Sequence, residues 1–408
     1  MGNNLRRQSF LLGTAAALAI LSPAVYLASC VPSNQPSTVG NSDTVTIASM
    51  LPIPTECRMS PEAATAYVGD RTCAGCHPEQ AAQHALTVHA RTLRQVSLSR
   101  DGRYFNTPTV VNDPLLKASF RPLKRGKVLI MEGRQGVNQA YVRLNYAVGS
   151  GKSGITYLSV SPDGICLMPR LTLFRPEAQP RWGWTPGLEP GAPSTTPLGI
   201  VLPSEELQNC LSCHSTALAI SDQQVDFGHS RLNVGCERCH GPGNEHVRAT
   251  RSKSYANSVD RDHFQIPHLG ALTADQQMEL CGNCHRALSP SPPHRVPDTL
   301  ARLQPAALKM SACFIKGDRE RLSCTTCHNP HQPKQTNVAS YEAICKNCHS
   351  IGEATQSKCP VNPRSGCVGC HMGRERLSVF GDSVYTNHWI RRRPKAIWSD
   401  VRVGKQLE

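Results

Sequence analysis

The sequence predicts a mainly α-helical and irregular fold that is interrupted by one β-rich insert, at residues 96–204. A pentapeptide, Cys-X-X-Cys-His, occurs seven times outside that insert. Only 39% of the 408 residues are hydrophobic and 5% aromatic, a composition from which side chains alone build a poor core. Within the insert, apolar residues alternate between Gly-rich and Asp-Gly turns, as in KVLIMEGRQG at 127–136, and this pattern is typical of hairpins.

The seven pentapeptides, numbered motifs 1 to 7 along the chain, use 14 of the 19 cysteines. Their residues are Cys73, Cys76 and His77 (motif 1); Cys210, Cys213 and His214 (motif 2); Cys236, Cys239 and His240 (motif 3); Cys281, Cys284 and His285 (motif 4); Cys324, Cys327 and His328 (motif 5); Cys345, Cys348 and His349 (motif 6); and Cys367, Cys370 and His371 (motif 7). The pattern is typical of c-type haem attachment, with two thioethers and a proximal histidine on the iron. Zinc and thioredoxin-like sites also use CxxC, but neither requires histidine after every second cysteine. The sequence therefore predicts seven covalently bound haem c groups.

The haems are expected to form the interior. Motifs 5 and 6 begin at Cys324 and Cys345. A stretch this short would have only marginal folding stability unless covalently attached groups such as haems stabilised it. The predicted fold is a mainly α and irregular multihaem cytochrome c fold organised around haems, with the β-rich insert between haem 1 and haem 2. The haem-free chain is expected to be unfolded.

The first thirty residues are predicted to be an export signal. Arg6 and Arg7 precede an apolar run from Phe10 to Leu21, and small residues lead to Cys30. The sequence LASC at 27–30 resembles a bacterial lipoprotein box, in which the cysteine is acylated; the alternative is ordinary cleavage beside an incidental cysteine. Val31 after the lipidated residue favours the outer membrane of a Gram-negative cell. The protein is thus expected to be exported and lipid-anchored in the periplasm.

Four cysteines remain in the exported part: Cys57, Cys166, Cys313 and Cys359. An even remainder in an oxidising compartment allows two disulfides, with three connectivities. Because Cys313 and Cys359 both lie in the haem-dense half, their pairing is preferred, which leaves Cys57 with Cys166.

The net charge of +14 would suit nucleic acid. Seven haems add about 14 propionate carboxylates that this count omits, so the holoprotein is expected to be nearly neutral. Many arginines are then expected to pair with propionates. Redox proteins, and the membrane through the N-terminal lipid, are the expected partners; nucleic acid is not.

Nine histidines lie outside the motifs: His84, His89, His229, His246, His263, His268, His294, His331 and His388. Seven irons can therefore all take a second histidine. His331 follows His328 by three residues, a link that reaches at most about 10 Å and can hardly pass round its own haem. As a ligand it should bind a neighbouring haem, and the same holds less tightly for His246. On the predicted helix after motif 1, His84 and His89 face about 140° apart, so one is expected to be a ligand and the other a propionate or surface contact.

Several segments resemble bacterial multihaem c-type cytochromes: CHGPGNEH at 239–246, SACF at 311–314 ahead of CTTCHNPH at 324–331, KCPVNPRSGCVGCHM at 358–372 and NHWIRR at 387–392. That group is related to the tetrahaem cytochrome of nitrification and, more distantly, to hydroxylamine oxidoreductase and pentahaem nitrite reductase. The insert is similar too, so the resemblance covers roughly residues 67–393. It implies haems in close pairs. It also implies distal ligands at His89, His246, His331 and His388, with weaker matches at His84, His229, His263, His268 and His294.

The chain is divided into six segments. They are 1–30 (lipoprotein signal peptide), 31–66 (flexible tether), 67–95 (haem 1 module), 96–204 (β-rich insert), 205–382 (haem 2 to haem 7 module) and 383–408 (C-terminal tail with a distal ligand).

The function predicted first is that of an electron carrier, which needs no catalytic residue. One alternative is a multihaem reductase or oxidase of a small nitrogen or sulfur compound, which needs an iron with an open distal position. The CxxCK motif that marks such a haem in the related nitrite reductases is absent from the sequence. A second alternative is the subunit of a conductive cytochrome filament, a homo-oligomer.

Overall fold

The computed structural model describes residues 58–106, 109–252, 266–267, 269–285, 300–317, 322–349, 359, 362, 364–377 and 383–392. These residues all belong to one compact unit. The predicted sites at Cys30, Cys57, His263, His268 and His294 lie outside the described residues, as does the predicted signal peptide.

The helices of the described residues are short. They are α1 (Pro61–Ala64), α2 (Asp70–Ala74), α3 (Pro78–Ala85), α4 (Leu98–Asp101), α5 (Ser204–Ser212), α6 (Glu237–His240), α7 (Asn244–Thr250), α8 (Ala274–His285), α9 (Gln304–Lys309), α10 (Ala312–Lys316), α11 (Cys324–Cys327), α12 (Val338–Lys346) and α13 (Cys367–His371). Single 3₁₀ turns occur at His89–Arg91, Gly102–Phe105, Leu269–Ala271 and Leu300–Arg302. None of these described helices has both the length and the apolar character needed to cross a membrane.

The strands of the described residues form four sheets. They are β1 (Arg58–Met59), β2 (Leu93–Gln95), β3 (Val111–Asp113), β4 (Ala118–Arg125), β5 (Val128–Gln135), β6 (Asn138–Arg143), β7 (Tyr146–Val148), β8 (Gly154–Val160), β9 (Cys166–Pro169), β10 (Leu171–Phe174), β11 (Arg181–Trp184), β12 (Gly199–Val201), β13 (Ser215–Ser221), β14 (Gln224–Leu232), β15 (Arg374–Leu377) and β16 (Ser383–Thr386). The sheet orders are β3-β4-β5-β6, β11-β10-β8-β7-β2 with β9 joining β8 to β12, β1-β13-β14, and β15-β16. Only the β1–β13 pair is parallel among these described strands.

The prediction of a mainly α-helical fold was wrong. About 34% of the described residues are helical and 28% are in strands. The insert at 96–204 is β-rich as expected, but β2 precedes it, β13 and β14 follow motif 2, and β15 and β16 follow motif 7. The run STALAIS at 215–221 is a strand buried along most of its length, and so it lacks the polar-apolar alternation by which half-buried strands are recognised.

The first core lies between two sheets of the insert. Phe120 and Met131 of the β3–β6 sheet pack against Tyr157, Leu171 and Leu173 of the neighbouring sheet, and all are almost fully buried. Aromatic rings strengthen this contact, because Phe105 lies edge-to-face on Tyr157, with centroids 5.4 Å apart. These layers therefore form a side-chain core of their own.

The second core joins the insert to motif 2. Leu93, Leu158 and Cys166 belong to the seven-stranded sheet that contains β2, β8 and β9, which is called the insert sheet below. They pack against Leu211 of α5 and Leu218 of β13. Helix α5 ends beside the motif, since it contains Cys210 and is followed by Cys213. The insert thus supports motif 2 directly.

The haem-dense half has much smaller side-chain clusters among its described residues. One contains Met278, Leu308 and Phe314, and another contains Leu300, Ala306 and Ala307. The sequence-based expectation that haems supply the whole interior is therefore too broad: it fits this half, whereas the β layers around residues 93–232 bury their own apolar side chains.

The two halves should respond differently to loss of haem. In haem-free protein made without the haem attachment system, amide hydrogens of β4, β5, β8 and β10 should keep strong protection from exchange, because their core consists of side chains. Amides of α8, α11, α12 and α13 should exchange at nearly the unfolded rate. Hydrogen-exchange mass spectrometry of haem-free and holoprotein makes the comparison. Equal loss of protection in both regions, or a native-like melt of the entire haem-free chain, would contradict the two-part core.

Candidate haem-binding sites

Each described CxxCH motif lies in a short helix or at its end. The histidine N–H donates to the carbonyl of the first cysteine in motifs 1, 3, 5 and 6, for example from His77 to Cys73 at 2.8 Å and from His328 to Cys324 at 2.9 Å. One helical turn therefore places the cysteines, three residues apart, on one side and the histidine directly after them. This is the local geometry that the attachment of a porphyrin edge by two thioethers requires.

Within the described part of the chain, four motif histidines face a histidine that is distant in sequence. The ring centroids are 6.5 Å apart for His77 and His246, 6.1 Å for His89 and His285, 5.9 Å for His240 and His331, and 6.2 Å for His328 and His388. In every pair, one histidine belongs to a motif and the other does not. The interplanar angles are 24°, 74°, 11° and 43°, respectively.

These distances fit an iron held between two imidazoles. Metal–imidazole bonds of about 2 Å on each side of one ion would leave the two ring centroids about 6 Å apart. Direct packing needs no such constant gap, whereas the four pairs vary by only a few tenths of an ångström. The paired side chains therefore fit six-coordinate haem irons with two axial histidines.

Backbone carbonyls orient several of the rings. The Nδ1–H of His214 donates to the Thr92 carbonyl at 3.2 Å, that of His371 to the Arg391 carbonyl at 3.0 Å, and that of His388 to the Thr386 carbonyl at 3.0 Å. A carbonyl can only accept, so each bond places the proton on Nδ1 and leaves Nε2 available for a metal.

Burial favours the neutral form of some of the paired rings. It lowers the pKa of His89, His240 and His388 to about 4. Nearby histidines add to the effect, for example His285 beside His89. Neutral imidazole is the form that binds a metal, so these sites are prepared for ligation at neutral pH.

The partners of His331 and His246 agree with the reach of the chain. His331 faces His240 of motif 3 rather than His328 of its own segment, and His246 faces His77 of motif 1 rather than His240. Each pair therefore links two haem motifs.

The other described candidates are placed differently. His229 lies on the surface with 63% of its side chain exposed, and its Nδ1 bonds Asp226 Oδ2 at 2.7 Å. His84 is on α3, where burial lowers its pKa while Asp70 acts against that shift. Neither residue shows a ring pair with another histidine among the described residues, and the same holds for His214 and His371.

Comparisons with known proteins give the same cofactor. A family model for a doubled CXXCH motif matches residues 317–354, which include motifs 5 and 6, and one for cytochrome c554 and c-prime matches 198–241, which include motifs 2 and 3. Over 215 residues, the chain is 25% identical to the multihaem cytochrome MtrA of Shewanella baltica (strain OS185).

The matched part is 48% of this chain and 56% of MtrA, so the chain spans little more than half of that relative. The crystal structure of the outer cell wall cytochrome OcwA gives a TM-score of 0.45 at 15% identity, over 80% of each chain. With the repeated motifs, the two family models and the MtrA match, the class is established. The chain is a multihaem c-type cytochrome.

Cysteines of different motifs lie near one another in this cytochrome. The Cys73 thiol hydrogen-bonds with Cys236, Cys213 with Cys284, and Cys281 with Cys324. Cys239 interacts electrostatically with Cys284. Farther along the chain, Cys345 interacts in the same way with Cys367 and with Cys327.

These interactions indicate which motifs lie near each other. Motif 1 adjoins motif 3, motif 3 adjoins motif 4, and motifs 4, 5, 6 and 7 follow in chain order, with motif 2 beside motif 4. No motif is separated from the rest, so the cytochrome has one continuous array of motifs within its described residues.

The predicted disulfides are not formed among the described residues of the cytochrome, where Cys166, Cys313 and Cys359 all have free thiols. Cys359 lies near Cys367 of motif 7, and Cys313 lies near Cys348 of motif 6. Cys166 is buried beside Cys210 of motif 2, and burial raises its pKa to about 12. The pairing of Cys57 with Cys166 involves a residue outside the described part.

Some contacts around the motifs of the cytochrome carry no pattern that sequence reasoning could find. The Tyr341 ring lies edge-on to His328, with centroids 5.6 Å apart, and its hydroxyl donates to the Gln335 carbonyl. Arg238, inside motif 3, donates to Cys284 Sγ at 3.6 Å. Their roles become visible only when motifs distant in sequence are brought together.

Removing one paired histidine should expose one iron. In His331→Gln, the haem that faces His240 loses its second imidazole, so about one haem per chain should change from low-spin to high-spin. Electron paramagnetic resonance of the oxidised cytochrome measures the change. His229→Gln is the matched control, because His229 bonds Asp226 at the surface, and its spectrum should equal that of the wild type.

Two outcomes would contradict this pairing. A fully low-spin spectrum for His331→Gln would show that His331 is no ligand. A high-spin signal of equal size in His229→Gln would show that a histidine without a described ring pair can also be a ligand, so that ring pairs alone do not separate ligands from non-ligands.

Proposed function

We propose that this protein is an exported seven-haem c-type cytochrome that carries electrons along a haem chain between membrane or periplasmic redox partners. The observation that carries the proposal is the set of four histidine pairs, each with the spacing of a six-coordinate iron. An iron with two protein ligands has no position for a substrate, and this suits transfer rather than catalysis.

We assign the thioethers to all fourteen motif cysteines and the proximal ligands to the seven motif histidines. The distal ligands proposed from the ring pairs are His246 for motif 1, His331 for motif 3, His89 for motif 4 and His388 for motif 5. For motifs 2, 6 and 7, the remaining candidates are His84, His229, His263, His268 and His294. Of these, His229 is the weakest, because Asp226 already binds its ring.

The order of the motifs supports one path with a side branch. Haem, when bound, supplies one-electron redox chemistry. The chain's own residues decide which haems adjoin, and the cysteine contacts give the order 1, 3, 4, 5, 6 and 7, with motif 2 as a branch at motif 4. Motifs 1 and 7 are then the ends of the longest path, and motif 2 is a third end.

Paired histidines also favour low reduction potentials, since histidine ligation lowers the potential relative to His/Met ligation. Methionine is the alternative axial ligand. Met310 adjoins the 311–314 segment and Met372 follows His371 of motif 7, and we assign neither of them to an iron. The low-potential carrier is thus the form of the proposal that the ring pairs support best.

The cellular setting belongs to the proposal as well. Export and a lipid on Cys30, with outer-membrane placement, are supported by the N-terminal sequence. A relationship to the tetrahaem cytochrome of nitrification and its more distant relatives is supported by the family match at residues 198–241. The proposed partners are redox proteins.

Spin state distinguishes a carrier from an enzyme. Oxidised holoprotein should give only low-spin signals in electron paramagnetic resonance, because the carrier proposal gives every iron two axial ligands. The near-perpendicular rings of His89 and His285 should give a more anisotropic low-spin signal than the near-parallel rings of His240 and His331. Spectra are recorded before and after addition of nitrite and of hydroxylamine, with His89→Gln to assign the anisotropic signal.

The carrier proposal requires spectra that neither compound changes. A high-spin signal in the wild type that shifts with nitrite or hydroxylamine would overturn it, and would favour a reductase or oxidase with an open haem.

A further inference from the structure

The β3–β6 sheet has an inner face in the first core and an outer face directed away from it. The strand register places Arg121 opposite Glu132 and Glu132 opposite Tyr141. Side chains alternate between the two faces along a strand, so Arg125, Arg134 and Arg143 lie on the same outer face. This group, from Arg121 to Arg143, is called the arginine face below.

One buried carboxylate organises the arginine face. Glu132 is fully buried and accepts hydrogen bonds from Arg121 Nε at 2.5 Å, Arg134 Nε at 2.9 Å and Arg125 Nη2 at 3.0 Å. Burial acts to raise the pKa of Glu132, but the hydrogen bonds and charges of Arg121 and Arg134 hold it below its ordinary value. Glu132 therefore stays ionised and fixes three guanidinium groups in place.

The charges of this face do not balance. The face holds four arginines and one carboxylate, so it has a formal charge of three positive units. Each guanidinium has five N–H donors, and those of Arg121, Arg125 and Arg134 use one bond each to reach Glu132. Their side chains remain 33%, 47% and 49% exposed. If these arginines served only to stabilise the sheet, the surface would need neither the excess positive charge nor the unused N–H donors.

The composition of the face resembles the centre of a protein interface. Tyr141 is 59% exposed, and the Arg125 guanidinium lies over its ring, 5.0 Å from the centroid. Tyrosine and arginine are enriched at interface centres and at binding hot spots. Exposed lysines at 117, 124 and 127 lie at the turns and strand ends around this centre.

We propose that the arginine face is a docking surface for an acidic patch of a partner protein. Guanidinium groups held by Glu132 offer fixed pairs of donors to carboxylates, which reduces the ordering that binding requires. The fixed arginines and central tyrosine favour a folded protein over an anionic lipid surface, for which flexible lysines suffice.

This surface separates docking from electron exchange. The arginine face and motif 2 lie on opposite sides of two packed sheets, because the first core separates the β3–β6 sheet from the insert sheet and the second core joins that sheet to α5. The partner is a redox protein only if the proposed function holds, whereas acidic docking does not depend on it.

Binding to poly-L-glutamate tests the acidic docking. Full-length holoprotein is titrated with labelled poly-L-glutamate at low ionic strength, without any electron donor, and fluorescence anisotropy gives the dissociation constant. Arg143→Glu should weaken binding about tenfold and Tyr141→Ala about threefold. Neither residue bonds Glu132, so both variants should melt like the wild type.

Lys152→Glu is the matched control, because it makes the same charge change on an exposed lysine between β7 and β8. It should weaken binding less than about twofold. Equal weakening by Arg143→Glu and Lys152→Glu would overturn the proposal in favour of attraction by net charge.

Phosphatidylglycerol vesicles test the other occupant. Tighter binding to these vesicles than to poly-L-glutamate, with the same dependence on Arg143, would replace the protein partner by a membrane surface. The binding experiment involves no electron transfer. Its failure would therefore leave the carrier function intact, and failure of the carrier function would leave the acidic docking intact.

Discussion

We propose that the fold around the haem motifs depends on pairs of histidines that meet from distant positions in the chain. His77 faces His246, His89 faces His285, and His328 faces His388, each across about the distance that one shared iron requires. Such a link closes a loop of sixty residues or more, and a loop of that length costs only slightly more entropy to close than a short one. A few metal-held links can therefore organise a segment whose side-chain clusters are small.

The β layers follow a different principle. Their sheets bury Phe120, Tyr157 and Leu171 in one core and join α5 through Leu211 and Leu218 in another. The insert therefore does more than cover the haem array. One of its sheets packs against α5 beside motif 2, and the arginine face lies on the side of the insert that is turned away from motif 2. Haem attachment and side-chain burial thus stabilise different parts of one compact unit.

Sequence reasoning reached the chemistry more easily than the architecture. CxxCH is a local pattern whose function follows from five adjacent residues, so the motifs could be found without knowledge of the fold. The resemblance singled out His89, His246, His331 and His388, and these are the histidines that the structure places opposite motif histidines. Which motif each of them faces depends on contacts between distant segments, and no local pattern encodes those contacts.

The strands around motif 2 were missed for a related reason. Buried strands such as β13 carry no alternation, and their assignment depends on the sheet that covers them. The arginine face was hidden as well, since net charge alone cannot show that Arg121, Arg125 and Arg134 share Glu132 across three strands. A sequence pattern reveals residues whose role depends on their neighbours in sequence. A role that depends on neighbours in space can be recognised only once the fold is known.

The number of haems joined to the chain is the quantity on which both the interior and the proposed path depend. Intact mass spectrometry of mature holoprotein, with reduced Soret and alpha absorption bands as the companion signal, measures it directly. The histidine-pair fold predicts the mass of the polypeptide plus seven haems, with all fourteen motif cysteines modified. A mass with fewer haems, and free thiols in any one of the seven motifs, would contradict it.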